Sequence, residues 1–167
     1  MKILVCLISD QHVPNLLTVH AIEPDLLFLI ETPGMKVKKA ASNFIRALRL
    51  GNSKKPKCRI KILTEENSIE ATTELLGDLF SEYSGAEWIA NITGGTKPMS
   101  IGAFEFFKNK NSMILYVPIA GQSKALNFSD GSFVNLRYKL RLKEFLAGYG
   151  FDYLKKEYQQ SLGTQIS

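Results

Sequence analysis

Residues 88–107 read WIANITGGTKPMSIGAFEFF, and this stretch decides the fold class. Its first part, residues 88–92, is apolar except for Asn91, which is typical of a strand that is buried on both faces of a parallel sheet. A glycine turn follows, and then Met99, Ala103 and Phe107 recur at the spacing of one helix face. The stretch therefore predicts a strand, a tight loop and a helix, which is the repeating unit of an α/β sheet.

The same alternation extends over the first 119 residues. Further strands are predicted at residues 3–8, 26–30, 59–63 and 113–119. A helix between them is predicted from one apolar face that consists of Val37, Ala40, Ala41, Phe44, Ile45 and Leu48, and a second helix begins after the N-cap Ser68. Strands that alternate with helices predict right-handed crossovers and therefore an α/β, Rossmann-like, mostly parallel sheet flanked by helices.

The C-terminal part of the chain has a different pattern. Strand-like runs at residues 123–128 and 132–138 flank Asp130-Gly131, and they predict an antiparallel hairpin that closes the sheet. A short amphipathic helix then runs from Arg141 to Gly150. We expect one ligand-binding domain over residues 1–140 and a helical linker or tail over residues 141–167, with no effector domain.

Composition limits the partners. The chain has 167 residues with 21 Lys and Arg against 16 Asp and Glu, so its net charge of +5 favours anionic partners without requiring DNA or RNA. The two cysteines, Cys6 and Cys58, lie in separate strand-like runs, so we expect no disulfide, no metal site and a reducing cytoplasm. The N-terminal apolar run is too short for a signal peptide or a membrane span.

Two loops that follow predicted strands carry the polar groups of a candidate ligand site. In a doubly wound sheet, ligands bind beyond the carboxyl ends of the strands, where such loops lie. The first loop contributes Ser9, Asp10, Gln11, His12 and Asn15, and the second contributes Asn91, Thr93, Gly94, Gly95, Thr96, Lys97 and Ser100.

The second loop predicts an anion site. Gly94 and Gly95 permit a close backbone approach, and Pro98 removes only an N–H that the first helical turn does not use. The remaining N–H groups, the helix dipole and Lys97 favour a phosphate. The loop is not a Walker A motif, and the first loop lacks G-x-G-x-x-G, so we expect neither an NTPase nor a dinucleotide cofactor.

Each of these features also has a simpler explanation. The Gly-Gly-Thr sequence can be a strand-to-helix turn with a threonine cap, and Asp10 and His12 can be helix caps rather than an acid–base pair. The basic run at residues 54–61 fits a solvated loop and a protected edge strand better than a nucleic-acid interface. Tyr116 and Phe104 fit the core better than a base-stacking platform.

The two loops together resemble a known family. Residues 1–5, MKILV, lead into Ser9-Asp10-Gln11, and residues 91–100 read NITGGTKPMS. Over about residues 1–150 this arrangement is similar to the CRISPR-associated Rossmann fold (CARF) domain, in the branch that forms the N-terminal sensor of cyclic-oligoadenylate-activated nucleases. The resemblance implies a cytoplasmic homodimer that binds a cyclic oligoadenylate second messenger, in most cases the tetra-adenylate, in type III CRISPR antiviral defence.

The resemblance also implies roles for individual residues. Lys97 and the backbone near Gly95 would hold phosphates, whereas Ser9 and Gln11 would contact ribose or adenine edges. Relatives usually continue into a nuclease domain, so we expect either a sensor that lacks this C-terminal domain or a stand-alone protein. Some stand-alone CARF proteins resemble metal-independent ring nucleases, in which Lys97 would stabilise the transition state and His12 would transfer a proton. A DNA-binding regulator is a third alternative, supported only by the basic run.

Overall fold

The computed structural model describes residues 1–120 and 123–152. The strands are β1 (Lys2–Leu7), β2 (Leu26–Glu31), β3 (Lys57–Ile62), β4 (Glu87–Asn91), β5 (Met113–Tyr116), β6 (Lys124–Asn127) and β7 (Phe133–Asn135). The helices are α1 (Val13–Ile22), α2 (Pro33–Val37), α3 (Ala40–Leu50), α4 (Ile69–Glu82), α5 (Lys97–Phe107) and α6 (Leu142–Gly148). The part of the predicted tail from residue 153 onward lies outside the described residues.

One sheet organises the molecule, with strand order β3-β2-β1-β4-β5-β6-β7. The first five strands in this order are parallel, and β6 and β7 are antiparallel to their neighbours. The predicted Rossmann-like α/β fold with a C-terminal antiparallel hairpin is therefore confirmed. The strand order reverses between β1 and β4, which makes the carboxyl ends of these two strands the place where a ligand crevice opens.

Helices cover both faces of the sheet. On one face, α1, α3 and α6 contribute Leu16, Phe44 and Ala147 to the core. On the other face, α4 and α5 contribute Leu76 and Phe107. This burial on both sides explains why β1, β2 and β4 have continuous apolar sequences rather than alternating ones.

Two of the predicted elements are wrong in part. The helix predicted from Val37 to Leu48 is two helices, because Lys39 adopts a left-handed conformation with φ of 56° and breaks the helix there. Val37 therefore ends α2 with 84% of its surface exposed and does not share the buried face of α3. The strand predicted over residues 113–119 ends at Tyr116, and Ile119 is 85% exposed.

The basic run at residues 54–61 has structural roles. The strand β3 is an outer strand of the sheet, as predicted, and most of its residues are exposed or half-buried. Lys54 forms an ion pair of 2.5 Å with Asp25, and the Lys55 ammonium donates to the carbonyls of Leu48 and Gly51. These contacts fasten the loop that precedes β3 to the rest of the fold.

The described residues, 1–120 and 123–152, hold neither a membrane-spanning helix nor a cluster of metal ligands. No helix there is long and apolar enough to cross a membrane. No group of His, Cys, Asp and Glu side chains in the same ranges is placed to hold a metal ion.

Candidate ligand-binding site

A crevice of about 320 Å³ opens where the loops after β1 and β4 meet. Loop residues from both sides line it, together with Tyr116 at the end of β5 and Ile119 beyond that end. Seven of the twelve predicted ligand residues lie in its walls, namely Ser9, Asp10, Gln11, Asn15, Thr93, Gly94 and Gly95. The structure thus brings the two predicted loops into one site, as expected for the switch point of a doubly wound sheet.

Both glycines of the second loop are required by the geometry. A Cβ at Gly94 would lie 2.1 Å from the carbonyl oxygen of Leu7, so the loop is pressed against the end of β1. Gly95 has φ of +78°, a left-handed conformation that other residues rarely adopt, and its Cβ would lie 2.9 Å from Leu7 Cβ. Because neither residue has a side chain, the backbone itself forms this part of the crevice.

The start of α5 presents hydrogen-bond donors. Within the described residues, the N–H groups of Gly94, Gly95 and Thr96 have no protein acceptor. They precede the N-terminus of an 11-residue helix, where the helix dipole adds partial positive charge. Lys97 is exposed at the first turn of this helix, although its side chain is not part of the crevice wall. The arrangement suits a phosphate or another anion.

A buried amide network joins the two loops. The Asn91 amide nitrogen donates to Asn15 Oδ1 at 2.9 Å and to Thr18 Oγ1 at 3.0 Å. The Asn91 oxygen accepts from the backbone and the hydroxyl of Thr93, at 3.1 and 2.6 Å. Asn15 in turn donates to the Leu7 carbonyl at 2.9 Å. Because these polar atoms already have partners, Asn15 and Asn91 position the loops rather than offer free groups to a ligand.

Thr96 and Ser100 have similar positioning roles. The Thr96 hydroxyl caps α5 by accepting from the Met99 N–H at 3.4 Å, and it donates to the Glu66 carbonyl at 2.7 Å. The Ser100 hydroxyl donates to the Gly94 carbonyl at 3.0 Å. Neither residue lines the crevice. The predicted threonine cap is therefore present at the start of α5, next to the crevice rather than in its wall.

Asp10 and His12 do not form the acid–base pair considered from the sequence. The exposed Asp10 carboxylate accepts from Lys38 at 2.8 and 3.0 Å. His12 is only 5% exposed, and its ring packs against Tyr149 and Phe145 of the C-terminal segment. Both ring nitrogens are buried and make no hydrogen bond of normal geometry among the described residues, although the backbone of Phe145 lies near the ring. Burial lowers the pKa of His12 below its usual 6.5, so the ring is neutral at pH 7.

Sequence reasoning missed several residues at the site, among them Tyr116 and Lys38. Tyr116 is half-buried and packs against the core, as predicted. It also lines the crevice and stacks on Phe128, with the two ring centroids 5.7 Å apart. Its position at the carboxyl end of β5, next to β4, is a signal that could have identified it. Lys38 was missed because it approaches the first loop from the junction of α2 and α3, which is distant in sequence.

The sheet topology and the crevice define a Rossmann-like domain with an opening at the switch point of its sheet. The chain belongs to the family of the Card1 CARF domain, whose family model matches residues 3–145. This match confirms the resemblance that the two loops suggested. No curated protein matches the chain.

Solved structures with the same fold include several CRISPR proteins. Can2 from Sulfobacillus thermosulfidooxidans in complex with cyclic tetra-adenylate has a TM-score of 0.79 and 28% identity, over 91% of this chain and 42% of Can2. A type III CRISPR defence DNA nuclease activated by cyclic oligoadenylate has a TM-score of 0.74 and 20% identity, over 93% of this chain and 24% of the nuclease. Enterococcus italicus Csm6 bound to cyclic hexa-2′-fluoro-hexa-dAMP has a TM-score of 0.60 and 22% identity, over 72% of this chain and 34% of Csm6.

These likenesses differ in what they support. The nuclease and Csm6 are below 25% identical to this chain and support the fold alone. The chain spans less than half the length of each of the three proteins.

Proposed function

We propose that this chain is a sensor of cyclic oligoadenylate, and specifically of cyclic tetra-adenylate, in type III CRISPR antiviral defence. The observation that carries the proposal is the crevice wall formed by Gly94 and Gly95, where free N–H groups meet the start of α5. A phosphodiester is an anion that such donors bind well. Membership of the CARF family and the cyclic tetra-adenylate in the Can2 complex support the choice of ligand.

The symmetry of the ligand favours a homodimer. Cyclic tetra-adenylate has four phosphates and a two-fold axis, and a two-fold dimer presents the same crevice to each half of the ring. In this arrangement Lys97 and the N–H groups near Gly95 contact phosphates, while Ser9 and Gln11 contact ribose or adenine edges. Asn15 and Asn91 act indirectly, because they hold the two loops at a fixed separation.

Cleavage of the ring is the second candidate function, and Lys97 is the observation that favours it. Its exposed ammonium, beside free N–H groups, could stabilise the charge that develops when a ribose 2′-OH attacks the adjacent phosphate. His12 is a poor proton carrier for this reaction, since both of its ring nitrogens are covered. Cleavage would therefore depend on Lys97 and on the orientation of the 2′-OH.

Calorimetry with cyclic tetra-adenylate tests the proposal. We expect one ring to bind per two chains, and we expect Lys97→Ala to weaken binding. Lys108→Ala is the matched control, because Lys108 follows the other end of α5 and pairs with Glu105. No binding by the wild-type chain, or equal affinity of Lys97→Ala and wild type, would contradict the proposal. Chromatography of the ring after incubation with chelator shows whether it is cut.

A further inference from the structure

The first loop and the first turn of α1 separate the crevice from a second, smaller cavity. Three residues of this segment, Ser9, Asp10 and Asn15, line both spaces. The smaller cavity has a volume of about 150 Å³ and lies beside the junction of α2 and α3, where Lys38 forms part of its wall. Asp10 therefore belongs to the crevice wall and contacts Lys38 at the same time.

The backbone of Lys38 is fixed, whereas its side chain is free to move. Its N–H donates to the Gly34 carbonyl at 3.3 Å, and the left-handed conformation of Lys39 turns the chain into α3 directly after it. The Lys38 side chain is 56% exposed, and within the described residues its ammonium contacts no polar group other than the Asp10 carboxylate. The ammonium can therefore change partners while the backbone stays in place.

The ion pair between Lys38 and Asp10 is a weak one. Both carboxylate oxygens accept from the ammonium, at 2.8 and 3.0 Å, but the Asp10 side chain is itself 67% exposed. Such a pair contributes little to stability, because water screens both charges. A phosphodiester in the crevice would attract the ammonium and repel the carboxylate, so its charge favours the separation of the pair.

Cyclic tetra-adenylate brings two phosphates to each chain of a two-fold dimer. Lys97 and the N–H groups near Gly95 lie on the β4 side of the crevice and suit one of them. Within residues 1–120 and 123–152, no Lys or Arg side chain lines the crevice itself. On the opposite side, Lys38 is the cation that is bonded to a residue of the crevice wall, which places it to meet the second phosphate.

We propose that Lys38 leaves Asp10 when the ligand binds and becomes the second phosphate-binding residue of each chain. Asp10 competes with the phosphate for this ammonium, and its carboxylate passes to water when the pair separates. The inference rests on the proposed function, since it takes the crevice as the site of a phosphodiester ring. It assigns opposite effects to the two members of one ion pair, because Lys38 strengthens binding and Asp10 weakens it.

Calorimetric titration of the full chain with cyclic tetra-adenylate, at several salt concentrations, tests this exchange of partners. Lys38→Ala should weaken binding about tenfold, as expected for the loss of one hydrogen bond between charged groups. It should also reduce the slope of log Kd against the logarithm of salt concentration by about 0.7, the contribution of one phosphate contact. Asp10→Asn keeps the shape of the side chain but removes the competing charge, so it should tighten binding by about two- to fivefold.

Two further variants control for charge and position. Lys38→Arg retains the positive charge and should bind within about threefold of wild type. Lys36→Ala is the matched control, because Lys36 is an exposed lysine of the same helix α2 and has no ion pair among the described residues. It should change neither the affinity nor the slope.

The direction of the Asp10→Asn effect separates the proposal from a structural role of the ion pair. A pair that only positioned the first loop would make Lys38→Ala and Asp10→Asn both weaken binding. That result, or wild-type affinity of Lys38→Ala, would overturn the inference, and weaker binding by Lys97→Ala in the same titrations would leave the sensor function intact. Failure of the wild type to bind the ring would instead overturn the proposed function and the inference with it.

Discussion

The substitution Gly94→Ala tests whether the close approach of the second loop to β1 shapes the crevice. The new Cβ would lie 2.1 Å from the Leu7 carbonyl oxygen and 3.2 Å from its carbon, and both atoms belong to the backbone. Real Cβ atoms essentially never approach closer than 3.0 Å, so the loop or β1 must move by about 1 Å. The clash cannot be relieved by a side-chain rotation.

Such a shift should affect binding more than folding. Two of the free N–H groups, those of Gly94 and Gly95, would be displaced, and in the proposed complex they would no longer be placed to bind one phosphate together. Each hydrogen bond to a charged group contributes about 1.5–3 kcal/mol, so the loss of one or two corresponds to about a hundredfold weaker binding. The overpacking itself should lower the free energy of unfolding by about 1–3 kcal/mol, which a domain of ordinary stability survives.

Calorimetric titration with cyclic tetra-adenylate measures the effect, and urea unfolding confirms that the variant is folded. Gly77→Ala is the control, because a Cβ at that position in α4 makes an ordinary contact of 3.8 Å with Phe106. It should bind as the wild type does. If folded Gly94→Ala bound the ligand with an affinity within about twofold of wild type, the close approach of Gly94 to Leu7 would not shape the ligand site.

Three other predictions concern charge, the amide network and a buried histidine. Lys97→Ala should weaken binding about tenfold, and it should reduce the slope of log Kd against the logarithm of salt concentration by about the contribution of one phosphate contact. Lys108→Ala should change neither quantity, as titrations at several salt concentrations would show. Asn91→Ala should cost about 3 kcal/mol in urea unfolding, because it leaves several buried groups without partners, whereas the exposed Asn111→Ala should cost less than about 0.5 kcal/mol. His12 has a lowered pKa in the fold, so protonation favours the unfolded chain below pH 6.5 and stability should fall on acidification. His12→Phe should reduce the loss of thermal stability between about pH 7 and 5, and an unchanged loss would contradict a buried neutral ring.

The sequence pattern was sufficient to predict the sheet and to identify the two loops that line the crevice. Strands buried on both faces have continuous apolar sequences, and the loops that follow them are visible from their glycines and polar residues. The rule that ligands bind beyond the carboxyl ends of strands then places both loops at one crevice. These steps need only local spacing and a general property of parallel sheets.

Other features depend on contacts between distant parts of the chain. Asn91 and Asn15 are 76 residues apart and satisfy each other because β1 and β4 are neighbours, so their positioning role was not visible in either loop alone. The ring of His12 is covered by Gly148, and nothing in the first loop indicates this contact. Lys39 breaks the predicted helix through a left-handed conformation that its residue type does not favour.

Native mass spectrometry with cyclic tetra-adenylate tests the central claim most directly, because it counts chains and ligands in one complex. The account predicts a species of two chains with one intact or cleaved ring, which disappears when Gly94→Ala replaces the wild type at the same concentrations. A complex of one ring with one chain would contradict the shared site. The absence of any complex at concentrations of about 10 µM would contradict the sensor function itself, because a specific messenger should bind with a dissociation constant well below that concentration.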